Sequence, residues 1–332
     1  MKLFFILFLL AACGKEKSDH ELTRSEKVEK VEELQARRLA SIDLSTRGWA
    51  LPNSCDGFLY SALFAAADPS MCEKFDWKWA EDDQHQGKLH RRGRLYDAAG
   101  EMTQNYCWTE ETGDIGAKAD WSRDMGVGAF AYGWRCKNLE FLSRHMRHCE
   151  ENSIAGVGCR MGDPIADGRT VYTPQIMGEM YQAIYALDSA RNSFGRFWPH
   201  LYPDDFLPGT FQVHLLLISI AMRGEIASYQ GDDENVPSPK EETEQKITYY
   251  DDSYELTTVL KISSLMFKRI KKYADEDLDN VLAWSLYGVY SGDYNHALDL
   301  CISGTVAEHA NDEPYKTVEL AFSCGLMLRQ LK

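Results

Sequence analysis

A chain of 332 residues, 44% hydrophobic and 26% charged, has the length and composition of a globular protein with room for a sizeable core. Its formal net charge of -15 disfavours phosphate-rich nucleic acid and anionic lipid as partners, because both would be repelled. Neutral glycans, amino-sugar polymers and basic proteins suit that charge.

In chain order, the first element is a leader. Lys2 supplies a positive charge, residues 3–10 form an unbroken apolar run, and Ala11 and Ala12 are the small residues a signal peptidase needs before its cut. The run is too short to cross a membrane as a helix. The stretch Leu10-Ala11-Ala12-Cys13 resembles the lipobox of bacterial lipoproteins. That resemblance implies acyl chains on Cys13, several of which anchor stably at about 0.8 kcal/mol per buried methylene. The expected organisation is a signal peptide over 1–12, a lipidated tether over 13–20 and a single α-helical domain over 21–332. Gly14 and Lys15 stand where an Asp would retain an enteric lipoprotein in the inner membrane, so the resemblance implies the outer membrane of the bacterial envelope.

Residues 21–42 are rich in Glu, Lys, Leu and Ala and predict a charged helix. Residues 53–67 carry the stripe Phe58, Leu59, Ala62, Leu63 and Ala66, a second helix. From 68 to 120 the pattern is irregular, with a hairpin expected over 95–107 turning at 97–100. Helices are expected over 124–135 and 138–152, then a glycine-rich loop over 155–162, then a helix over 173–187 opened by Thr173-Pro174. Further helices are expected over 211–229, 247–273, 277–290 and 315–331, with an acidic, Pro-containing loop over 231–245. Trp284, Gly288, Gly292, Asp293, Tyr294, Ala297 and Leu298 are similar to one tetratricopeptide hairpin. No second copy follows at a fixed period, so they predict a single αα-hairpin. The fold class expected is mainly α, a set of helical hairpins arranged as an (α/α) toroid or an irregular bundle and stapled by disulfides.

With Cys13 assigned to lipid, eight cysteines remain, an even set that an oxidising compartment would pair. Eight allow roughly a hundred connectivities. Pairing sequence neighbours gives Cys55–Cys72, Cys107–Cys136, Cys149–Cys159 and Cys301–Cys324. No two have the C-x2-C spacing of a structural zinc site. His145, His148 and Cys149 lie at i, i+3 and i+4 of a helix, a geometry able to share a metal. Arg144 and Arg147 beside them disfavour a cation, so neither a metal nor any other cofactor is expected.

Three polar clusters open helices: Asp56-Gly57, Trp121-Ser122-Arg123-Asp124, and Arg169-Thr170-Val171-Tyr172 before Thr173-Pro174. Helix N-termini present N–H groups and a dipole that stabilise carboxylates and bind anions. Over about residues 50–190 this arrangement resembles sugar-processing enzymes of the (α/α) toroid type, in which polar residues at helix ends surround a cleft. The resemblance implies a glycan-active hydrolase or lyase using Asp56 and Asp124 as its carboxyl pair. Glu140 and Asp120 stand as reserves, and Arg92, Trp121, Arg123, Arg169 and Tyr172 as substrate contacts, with Trp108 a second stacking candidate. Each residue also has a plain structural role open to it, as helix cap, ion-pair partner or turn. The partner expected is a polysaccharide or peptidoglycan. The alternative is a non-catalytic lipoprotein acting as a glycan- or protein-binding assembly subunit. The sequence carries no G-x-S-x-G elbow, P-loop, H-E-x-x-H or dinucleotide fingerprint.

Overall fold

The computed structural model describes residues 22–50, 56–81, 86–87, 89, 94–96, 102–105, 123–152, 159–160, 171–172, 174–188, 190, 217–222, 224–226, 264–306 and 315–331. For residues 94–96, 102–105, 123–124, 159–160, 171–172, 174–176 and 264–266 the description covers the backbone alone. The fold is mainly helical. Its helices are α1 (Arg24–Ser41), α2 (Gly57–Ala67), α3 (Arg123–Arg135), α4 (Leu139–Glu151), α5 (Pro174–Leu187), α6 (Ser264–Glu276), α7 (Val281–Ser291), α8 (Asn295–Ser303) and α9 (Tyr315–Leu331). Residues 217–222 and 224–226 are also helical. Two short antiparallel pairs accompany them, β1 (Arg94–Tyr96) with β2 (Met102–Asn105), and β3 (Cys159–Arg160) with β4 (Val171–Tyr172).

Local chemistry sets the helix ends. Thr23 and Glu26 form a reciprocal capping box at the start of α1, so the helix begins three residues later than its composition suggests. Asn138 and Asn280 accept from the backbone N–H of Phe141 and Ala283, each at 3.0 Å, and so start α4 and α7. Gly292 ends α7 at φ +77, which glycine adopts without the clash a Cβ would bring. The turn it makes joins α7 to α8, the expected αα-hairpin. The same left-handed position after α3 holds Lys137 (φ +52), where Asn138 N–H donates to Gly133 and Lys137 N–H to Trp134. The Lys137 ammonium lies 3.1 Å from the centroid of the Trp134 ring, which helps offset the backbone strain.

Helix α2 is buried on every side. It runs parallel to α3: residue 128 meets residue 59, a Cβ added to Gly128 lying 3.1 Å from Leu59 Cα, and the Cys136 sulfur lies 3.8 Å from the Ala65 carbonyl. Helix α9 is parallel to α2 on another side. Tyr315 and Tyr60 rings stand 4.6 Å apart near the helix starts, and the Arg329 guanidinium donates to the Ala66 and Ala67 carbonyls at their ends, at 2.8 and 2.9 Å. Helix α9 also packs on α7 and α1, and α5 on α3 and α4. The first and last described helices therefore meet.

Aromatic rings knit residues 49–79 to α3 and α4. Trp49 stands 4.3 Å from Trp79 and 5.8 Å from Phe58, and Phe141 packs at 5.0 Å from Trp77 and 5.3 Å from Tyr132. Such pairs contribute roughly 0.5–1.5 kcal/mol each beyond their burial.

Two disulfides are Cys72–Cys136 and Cys301–Cys324, and Cys149 is also disulfide-bonded. The second agrees with pairing by sequence neighbours. The first overturns Cys55–Cys72 and Cys107–Cys136. The physical reason is helix packing: Cys72 follows the end of α2, Cys136 follows the end of α3, and parallel packing sets those ends side by side. The partner of Cys149 lies outside the described side chains, as do the acidic loop 231–245 and the glycine-rich loop 155–162 apart from the backbone of Cys159–Arg160 in β3.

Candidate functional site

Parallel packing of α2 and α3 decides where the candidate residues stand. Asp56 is the N-cap of α2, and its side chain makes no capping bond to that helix. Arg123 and Asp124 occupy the first turn of α3. Both helices start at the same end of the bundle, so the backbones of Asp56 and Asp124 share it. Val171–Tyr172 forms β4, which packs against both α3 and α5. Cys13, Arg92, Trp108, Asp120, Trp121 and Arg169 lie outside the described residues.

Glu140 does not join them. It sits in the first turn of α4, which begins where α3 ends, at the opposite end of α3 from Asp124. Its carboxylate is exposed and pairs with Lys78 at 3.1 Å and Arg144 at 3.2 Å. Hydrogen bonds from Lys78 and then Arg144 hold its pKa below the usual carboxylate range.

Several buried polar groups were not foreseen from the sequence. On α5, Glu179 is 1% exposed and accepts a hydrogen bond from the Ser219 hydroxyl. At the end of α3, the buried Arg135 guanidinium pairs with Glu225, whose other oxygen accepts from the Trp134 indole N–H at 3.2 Å. Burial lowers the Arg135 pKa, and the Glu225 charge opposes that shift. The exposed Lys137 beside them has its pKa lowered to about 8 by partial desolvation of its ammonium, with Glu225 opposing and Arg135 adding to the effect. No residue pattern marks such groups in advance, because each gains its partner from a different helix.

Glu81 and Gly87 are clasped onto α4. Glu81 accepts from the Gly87 N–H and, at 2.7 Å, from Arg144, while the Nδ1–H of His145 donates to the Gly87 carbonyl at 2.8 Å. Gly87 is at φ +86 with its Cα against the Arg144 carbonyl, where a Cβ would lie 2.2 Å from the oxygen. Burial drives the His145 pKa down to about 3, against the Gly87 hydrogen bond. His145 and Cys149 thus serve a loop clasp and a disulfide. Among the described residues, no three His, Cys, Asp or Glu side chains gather into a metal-binding group.

A shallow, widely open cleft of about 610 Å³ lies where α3 gives way to α4, lined by Glu73, Trp77, Lys137, Asn138, Glu140 and the Cys72–Cys136 disulfide. Below it, the Tyr132 hydroxyl accepts from Asn138 at 2.9 Å, and burial pushes its pKa up to about 12. No described helix is long and apolar enough to cross a membrane. No protein-family model, curated protein or solved structure matches the chain.

Proposed function

We propose that the chain is a lipid-anchored protein of the bacterial envelope, acylated on Cys13 at the outer membrane, that acts on a glycan as a hydrolase or lyase through Asp56 and Asp124. The lipobox supports the anchor. The disulfides support the compartment, because such bonds persist where the surroundings are oxidising. The observation that carries the site is the parallel contact of α2 and α3, which starts both candidate carboxylates at one end of the bundle. Parallel neighbours need a returning segment between them. Residues 68–122 lie between α2 and α3 in the chain, and the parallel contacts of α2 with α3 and with α9 are the arrangement an (α/α) toroid gives its inner helices.

In this chemistry one carboxyl protonates the leaving oxygen and the other activates water or attacks the sugar carbon. A separation of about 5–5.5 Å gives retention and roughly 6.5–9.5 Å gives inversion. The test is release of soluble sugar from peptidoglycan and from acidic and neutral polysaccharides by the purified protein. Asp56→Asn and Asp124→Asn should each lower release by at least about a hundredfold. Equal release by all three proteins removes both residues from the mechanism. Release by none points to the binding or assembly role. For the anchor, Cys13→Ser should move the protein out of the membrane fraction, and its retention there would refute acylation at that residue.

A further inference from the structure

The two disulfides differ in what surrounds them. Cys301 and Cys324 are wholly buried, and Arg38 lies across them, donating to the Cys301 carbonyl and standing 3.7 Å from the Cys324 sulfur. Cys72 and Cys136 are only half-buried and form part of the wall of the 610 Å³ cleft. Lys137 follows Cys136 directly, while Glu73 and Glu140 add negative charge to the rim. The Ala65 carbonyl lies 3.8 Å from both sulfurs. Its helical donor would be the N–H of residue 69, which is Pro69 and has none, so this oxygen is placed to accept from a thiol formed at either cysteine.

We propose that Cys72–Cys136 is a thiol–disulfide exchange site, open through the cleft to a reducing dithiol, and that Cys301–Cys324 is a closed staple. A thiolate of the dithiol attacks one sulfur of the pair, forms a mixed disulfide and expels the other cysteine as a thiolate, which takes up a proton. The second thiol of the reductant then attacks the mixed disulfide and leaves as the oxidised reductant. Two electrons and two protons pass to the protein, and Cys72 and Cys136 become thiols. Access decides which disulfide reacts, since exposed bonds are the labile ones and buried ones resist. The bond closes a loop of sequence separation 64 that contains Arg92, Trp121, Arg123 and Asp124, so its state controls the constraint on that segment. This inference does not depend on the glycan assignment.

The experiment treats the native, fully oxidised protein with graded dithiothreitol, quenches with N-ethylmaleimide and maps labelled peptides by mass spectrometry while circular dichroism follows the fold. Cys72 and Cys136 should be labelled together at least tenfold faster than Cys301 and Cys324, with the helical signal unchanged. In Cys72→Ser, Cys136 should react with Ellman's reagent in the folded protein. Labelling of both pairs at one rate, labelling that follows loss of helicity, or a Cys136 in folded Cys72→Ser that resists the reagent would each overturn the proposal.

Discussion

His145 shows how a single side chain can tie stability to pH. Its folded pKa of about 3 lies below the ordinary value of 6.5, so the unfolded chain binds the proton more readily. The contribution is complete above about pH 6.5 and is lost as the pH falls from there toward 3, at roughly 1.4 kcal/mol per unit. His145→Asn keeps a side-chain N–H able to reach the Gly87 carbonyl and carries no titrating group. Denaturant unfolding at pH 7 and pH 4 should show the wild type losing more stability than the variant, and equal losses would refute the assignment. Arg135 makes a different prediction. With its guanidinium buried against Glu225, Glu225→Gln leaves a charge without its counter-ion and should cost about 3–5 kcal/mol in urea unfolding at pH 7. A cost below about 1 kcal/mol would mean that water reaches the pair.

Between elements, the contact of α2 with α3 matters most, because it gathers the candidate carboxylates. Gly128 lets the two backbones approach, and a Cβ there would meet Leu59 Cδ1 at 2.9 Å, its Cα at 3.1 Å and its carbonyl oxygen at 3.2 Å. Side-chain repacking cannot relieve contacts to backbone. Gly128→Ala should therefore push the helices apart, cost about 1–3 kcal/mol in thermal or chemical unfolding, and lower sugar release if Asp56 and Asp124 act together. Unchanged stability would show that the helices have slack. The helices themselves were legible from local signals: the stripe of α2, Thr173-Pro174 before α5, and the hairpin glycine Gly292. The start of α1 was less so, because the Thr23–Glu26 capping box begins the helix later than its charge pattern does.

At the scale of the whole molecule, α9 touches α1, α2 and α7 and is bonded to α8 through Cys301–Cys324. That disulfide spans a sequence separation of 23, for which loop-closure entropy gives about 3 kcal/mol. The double variant Cys301→Ser, Cys324→Ser should lose about that much in denaturant unfolding. Because Gln35 donates to the Ala321 carbonyl and Arg38 to that of Cys301, hydrogen exchange in α1 should also speed up. Unaltered exchange in α1 would show that it docks independently of the staple.

Most of the described helices and the even set of eight cysteines besides Cys13 were legible in the chain, because caps, stripes and composition act over a few residues, whereas the β3–β4 pair was not. Of the two described pairings, Cys301–Cys324 was legible as a pair of sequence neighbours and Cys72–Cys136 was not. Cys72 meets Cys136 only because two helices far apart in sequence lie parallel, and the same packing sets Asp56 and Asp124 at one end while sending Glu140 to the other. The buried partners of Arg135, Glu179 and His145 come likewise from other elements. Local pattern determined the helices, and long-range packing alone decided which of their ends became neighbours.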